Sequence, residues 1–171
     1  GRSVFLGDQA IDEYFNHAEF NDLGSSPPSM EATKALDCMG CLIGYAIMCS
    51  DAVGAYTQSY LKSKAKAWVH LPENRWPPEW KGKYTNPVVP LILSLYGHPE
   101  SGGYWEEHCE KRILGLGWVK IGWEWNSVFW HPEKEAMLVV YVDDFKMAAK
   151  AEDHAALWAD LRSVIEMEQE A

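Results

Sequence analysis

Two adjacent carboxylates stand between two apolar runs in the last third of the chain. Asp143 and Asp144 follow the run 136–140 and precede the run 145–149. Two β-prone runs that meet at a short polar stretch predict a tight hairpin. Aspartate is common in turns, because it tolerates turn geometry and stays solvated. Between strands this apolar, however, the pair also indicates a sheet that carries a charged site at one end.

A third carboxylate ends another apolar run. Asp51 follows residues 44–50, which predicts a strand with Asp51 at its end. That strand and a hairpin tipped with Asp143 and Asp144 can bring three carboxylates together. Hard divalent cations such as Mg2+ prefer oxygen ligands of this kind, and two such ions can clamp the attacking and leaving oxygens of a phosphoryl transfer. The alternative is an ordinary polar turn without a metal.

Composition bounds the class of protein. The chain has 171 residues, of which 47% are hydrophobic, which is enough for one domain with a real core. Its net charge of −10 argues against tight non-specific binding of nucleic acid by the whole surface, although it leaves room for a local basic groove. No run is long and apolar enough to span a membrane, and no signal peptide is visible. Because the first residue is Gly1 rather than Met, we expect a fragment or a processed product.

The four cysteines do not form a recognisable metal or disulfide framework. Cys38 and Cys41 form a lone C-x-x-C, whereas zinc requires two further ligands at a suitable spacing. The pair lies in an apolar helical pattern, so we expect buried free thiols. The Cys pattern weakly favours a reducing compartment. A small metal- or redox-linked domain that uses Cys38 and Cys41 remains a third hypothesis for function.

Hydrophobic periodicity predicts alternating strands and helices. Helices are expected over about 30–43, with Ser29 as the cap, and over 103–114 and 152–168. Strands are expected at 1–7, 44–50, 67–71, 88–95, 117–121 and 127–130, in addition to the carboxylate hairpin. Strand, helix, hairpin and helix form a split β-α-β order, as in ferredoxin-like folds. The predicted class is therefore α+β, with an antiparallel sheet backed by helices on one face.

Several motifs, which follow one another along almost the whole chain in the family's order, resemble the reverse transcriptase of copia-type LTR retrotransposons. The two acidic motifs are Asp51-Ala52-Val53-Gly54-Ala55-Tyr56 and Tyr141-Val142-Asp143-Asp144. The supporting matches are Arg2-Ser3-Val4 with Gly7, Trp68-Val69-His70-Leu71-Pro72, and Leu95-Tyr96-Gly97 through Ser101 and Trp105. The chain departs from the family at Glu100, where glutamine is usual, and at Gly102, where proline is usual.

The resemblance implies a polymerase palm with part of the fingers. Residues 1–43 would be partial fingers and a connecting helix, and residues 44–171 would be the palm, with the thumb and ribonuclease H absent. Asp51 and Asp143 would bind the metal ions, Mg2+ (or Mn2+), with Asp144 in support. The residues implied to bind the nucleotide are Arg2, Ala52, Tyr56, Gly97 and Ser101. Those implied to contact primer or template are Tyr141, Lys62, Lys64 and Lys66.

These roles have alternatives. Tyr56 could be a core aromatic residue, and the three lysines could be the solvated face of an edge strand. The first functional hypothesis is an RNA-directed DNA polymerase that acts on primer–template and deoxynucleotides within a longer polyprotein. The second is a non-catalytic, retrotransposon-derived chain that serves as a structural subunit and binds protein partners. Either would be intracellular, in the cytoplasm or nucleus if it behaves like a retrotransposon protein.

Overall fold

The computed structural model describes residues 11, 27–64, 66–122 and 124–171. Both the strand predicted at 1–7 and Arg2 lie outside these residues. The helices are α1 (Met30–Gly40), α2 (Ser101–Leu114) and α3 (His154–Val164). The strands are β1 (Tyr45–Asp51), β2 (Trp68–His70), β3 (Val88–Pro90), β4 (Val119–Lys120), β5 (Val128–His131), β6 (Ala136–Tyr141) and β7 (Asp144–Lys150).

Five of the strands form one antiparallel sheet in the order β1-β7-β6-β5-β4, and β2 and β3 form a separate two-stranded sheet. The predicted carboxylate hairpin is the β6–β7 pair. Its second strand lies directly beside β1, which comes almost a hundred residues earlier in the chain. The α+β class predicted from the sequence is confirmed, with antiparallel sheets and helices packed on them.

Helices cover both faces of the five-stranded sheet. On one face, α2 and α3 pack against strand residues that include Leu138 and Val140. On the other face, α1 packs against Met137 and Val139. The expectation that all helices back one face was wrong for α1. The reason lies in β6, where residues 136–140 are all buried, because a strand with two covered faces is apolar at consecutive positions.

Helix α1 begins at a side-chain cap and ends at a glycine that lies close to β1. The predicted cap is confirmed, since the Ser29 Oγ accepts a hydrogen bond from the Ala32 backbone N–H at 3.2 Å. The helix ends at Gly40, which approaches β1 so closely that an added Cβ would lie 2.1 Å from the Ile47 Cγ1. A residue without a side chain is therefore needed where α1 crosses β1.

The predicted helix over 152–168 ends earlier than expected. Ile165 already has extended backbone angles, and the residues after it run beside the outer edge of β1. The Val53 N–H donates to the Glu166 carbonyl at 2.9 Å, and the Glu168 N–H donates to the Asp51 carbonyl at 2.8 Å. Backbone pairing with an otherwise open strand edge thus replaces the last helical turn.

Candidate functional site

The pairing of β1 with β7 sets Asp51 directly opposite Asp144. The next pair along is hydrogen-bonded, because the Ala52 N–H donates to the Asp143 carbonyl at 2.7 Å. Hydrogen-bonded and non-hydrogen-bonded pairs alternate in an antiparallel ladder, so Asp51 and Asp144 occupy a non-hydrogen-bonded pair, where Cα atoms lie about 4.5 Å apart and side chains are closest. Two of the three predicted carboxylates are therefore immediate neighbours.

The third carboxylate lies in the hairpin turn, which has an unusual backbone. Val142 has a φ of +56°, a left-handed conformation that is strained for a β-branched residue. Trp105 on α2 is buried, and its Nε1–H donates to the Val142 carbonyl at 2.7 Å. Helix α2 thus holds the turn that presents Asp143.

A tyrosine engages Asp143 directly. The Tyr96 hydroxyl donates to the Asp143 Oδ2 at 3.1 Å. The Tyr96 ring packs against the Tyr56 ring with centroids 4.3 Å apart, and it sits in a turn whose next residue, Gly97, has a φ of +90°. Tyr96 was not among the residues predicted to form the site, although it lies in the Leu95-Tyr96-Gly97 segment that resembles the family.

The negative charges of the site affect the pKa of Asp144. The pKa of Asp144 is raised, first by partial burial, then by the charges of Asp143 and Asp51, and by a hydrogen bond with Asp51. A divalent cation would relieve this repulsion, so the chemistry of the donors fits Mg2+ or Mn2+. Within the part of the chain that the structure describes, however, no group of three or more His, Cys, Asp or Glu is arranged to hold a metal ion. One Asp143 oxygen is instead engaged by Tyr96.

Comparison with known proteins adds no assignment. No protein-family model matches the chain, and no curated protein matches it significantly.

The other residues implied to bind the nucleotide differ in how far they are exposed to solvent. Tyr56 is half-buried beside Tyr96. Ser101 is buried, and its hydroxyl accepts a hydrogen bond from the Leu95 N–H at 2.9 Å, so this side chain supports the fold at the start of α2. Ala52 is buried and Gly97 is exposed.

Of the residues implied to contact primer or template, one lies at the site. Tyr141 pairs with Asp144 across the hairpin and is 53% exposed. Lys62 instead pairs with Glu107 on α2 at 3.2 Å, and Lys64 and Lys66 are exposed. All three lysines precede β2 rather than lying in it, so they are not the face of an edge strand, whereas their contact with primer or template stays a prediction.

The cysteines differ from the expectation of burial. Cys38, Cys41 and Cys49 are exposed free thiols, and Cys109 is buried. Because α1 buries Ala32 and Leu36, its thiols near the end of the helix lie off the packed face.

No described helix has the length and apolarity to cross a membrane.

Proposed function

We propose that this chain is the palm of an RNA-directed DNA polymerase of the copia retrotransposon type, which catalyses two-metal nucleotidyl transfer. The observation that carries the proposal is the register of β1 against β7. It sets Asp51 against Asp144 and leaves Asp143 in the adjoining turn. Carboxylates from two distant segments thus lie at one end of the sheet, and this placement supports a site for divalent cations.

The order of the strands supports the same proposal. The chain runs from β1 through α2 to the β6–β7 hairpin and then to α3. The hairpin lies on one side of β1, and the segment after α3 bridges to Ala52 on the other side. This order is compatible with the split β-α-β connectivity of ferredoxin-like folds, and it carries the first acid and the acid pair on neighbouring strands, which supports the proposal of a palm.

Each residue of the site has a different role in the proposed reaction. Asp51 and Asp144 are both exposed and supply neighbouring carboxylate oxygens to the ions and the reacting groups. Tyr96 holds the Asp143 side chain at the site through its hydrogen bond, and Asp143 would be the third residue to hold the ions. Bound Mg2+ would lower the pKa of the attacking hydroxyl and neutralise phosphate charge. The Tyr56 ring, next to Tyr96, would contact the sugar of the incoming deoxynucleotide.

A structural subunit is the second candidate, favoured by apolar side chains left in solvent. Trp68 is 56% exposed, Val88 46% and Ile92 60%, and all three lie in or beside the β2–β3 sheet. Exposed apolar groups that cluster in this way suit protein contacts.

Primer extension on an RNA template tests the first proposal. The chain, produced alone and within a longer polyprotein, should extend the primer with Mg2+ or Mn2+ in at least one of the two forms. Extension should fall by at least about a thousandfold in Asp51→Asn and Asp143→Asn, since each removes a ligand charge from the metal site. The matched control is Glu152→Gln, an exposed acid in the turn after β7.

Two results would contradict the proposal. One is a well-folded wild-type protein that extends no primer with either metal. The other is extension that persists in Asp143→Asn. Either would make the structural role the better explanation and direct attention to the β2–β3 surface.

A further inference from the structure

A second candidate binding site lies along α2, beside the buried stripe of that helix. There a cleft of about 450 Å³ lies between α2, the segment after Ser59 and the end of α3. We refer to it as the α2 cleft. Its polar and aromatic lining comprises Tyr60, Lys62, Tyr104, His108, Lys111 and Arg112. It lies apart from the buried stripe of the same helix, which includes Trp105, Cys109 and Ile113. None of the three aspartates lines the cleft.

The α2 cleft concentrates positive charge in an acidic protein. Among the described residues, Lys62, Lys111 and Arg112 line it with a single acid, Glu107, whereas the whole chain carries a net charge of −10. The pKa of His108 is lowered, first by burial and then by the charges of Arg112 and Lys62. The described lining therefore carries a net positive charge.

Glu107, the one acid that the described part of the chain contributes to the lining, is held by a weak interaction. Glu107 pairs with Lys62 at 3.2 Å, and the two side chains are 62% and 59% exposed. Such exposed pairs contribute little stability, so a multivalent anion could take over Lys62 at small cost. Arg112 presents a guanidinium fork that matches two oxygens of a phosphate.

We propose that the α2 cleft binds a compact multivalent phosphate, of the kind found in inorganic tripolyphosphate or in the phosphate chain of a nucleotide. The cleft volume suits a compact ligand, and Glu107 in its wall disfavours an extended polyanion that must pass over it. The proposal is independent of polymerase activity, because it uses none of the residues assigned to the carboxylate site.

Calorimetric titration of the purified chain with inorganic tripolyphosphate, without divalent metal, tests the proposal. We expect saturable binding with one ligand per chain, weakened by salt. The double variant Lys111→Gln/Arg112→Gln should weaken binding at least about tenfold, because it removes two charge-assisted contacts. The control, Lys81→Gln/Lys83→Gln, removes the same charge from exposed lysines outside the cleft and should change the affinity less than about twofold.

Neutralising the acid in the cleft gives a second test of the proposal. Glu107→Gln should tighten binding several-fold, because it frees Lys62 and removes the repelling carboxylate. Asp144→Asn should leave the affinity unchanged. Circular dichroism checks that each variant is folded.

The proposal is overturned by any of four results: no binding by the wild-type chain, equal weakening in the two double variants, weaker binding in Glu107→Gln, or loss of binding in Asp144→Asn. Cleft-dependent binding of a single-stranded oligonucleotide without binding of tripolyphosphate would also overturn it, in favour of a nucleic-acid path.

Discussion

Asp144 lies directly across from Asp51 in the pairing of β7 with β1. Two carboxylates in a non-hydrogen-bonded pair of an antiparallel ladder repel each other when both are ionised. The fold therefore brings together charges that do not stabilise it. Such an arrangement is expected where a site is kept for function rather than for stability.

Replacing Asp144 by asparagine should stabilise the protein at neutral pH. The folded-state pKa of Asp144 is raised above its ordinary value of 3.8, so the folded protein holds this proton more tightly than the unfolded chain does. The free energy of unfolding therefore falls as the pH rises from 3.8 through the folded-state pKa, and the loss is complete once the pH is well above the folded-state pKa. Removing the charge should restore about 0.5 kcal/mol, a small value because the pair is partly solvated.

Urea denaturation across pH measures this effect. The gain in Asp144→Asn should be largest at neutral pH and should disappear below the ordinary pKa, where both states are protonated. Asp160→Asn, an exposed aspartate on α3, is the control. A destabilised Asp144→Asn at pH 7, or a gain that is the same at pH 3, would contradict the account.

Tyr96→Phe should lose the hydrogen bond to the Asp143 Oδ2. The free energy of unfolding should fall by about 1 kcal/mol, the usual net worth of a partly buried hydrogen bond. A double-mutant cycle with Asp143→Ala isolates the pair, and we expect a coupling energy of about 0.5–1 kcal/mol. Tyr60→Phe is the control, since that ring is 65% exposed. Additive effects in the cycle would show that the contact has no energetic weight.

Gly40→Ala should destabilise the packing of α1 on β1. The new Cβ would lie 2.1 Å from the Ile47 Cγ1, so the Ile47 side chain, the helix or the strand must move, at a cost of about 1–3 kcal/mol. Lys34→Ala, at an exposed position of α1, gives the matched control. Ile47→Ala removes the side chain that the new Cβ would meet. It should therefore lower the free energy of unfolding less in the Gly40→Ala background than in the wild-type protein. Equal stability of Gly40→Ala and Lys34→Ala, measured by urea denaturation, would refute the close approach.

Thiol labelling should separate the cysteines by burial. Cys38, Cys41 and Cys49 are exposed, whereas Cys109 is buried and its thiol pKa is raised by burial and by the nearby Glu106 and Glu110. Iodoacetamide should therefore add three groups to the native protein and four to the unfolded protein, as counted by mass spectrometry. Native labelling of Cys109 would mean that α2 does not pack as described. Failure to label Cys38 and Cys41 would mean that these two thiols are already engaged.

Local features of the sequence were enough to predict several elements. Ser29 marked the start of α1, because a hydroxyl cap acts within one turn of the chain. The apolar runs on either side of Asp143 and Asp144 predicted the hairpin, because strand and turn preferences operate over a few residues. The position of Asp51 at the end of a strand followed from the same kind of pattern.

Contacts between distant segments decided the rest. Three features depend on partners far away in sequence. They are the face of the sheet that α1 covers, the pairing of the residues after Ile165 with β1, and the contact of Lys62 with Glu107. The bond from Tyr96 to Asp143 spans 47 positions. The sequence by itself determined which residues could carry chemistry and which local elements hold them. Only the tertiary structure decided which of them meet, because packing and strand pairing are chosen by the whole chain rather than by any one segment.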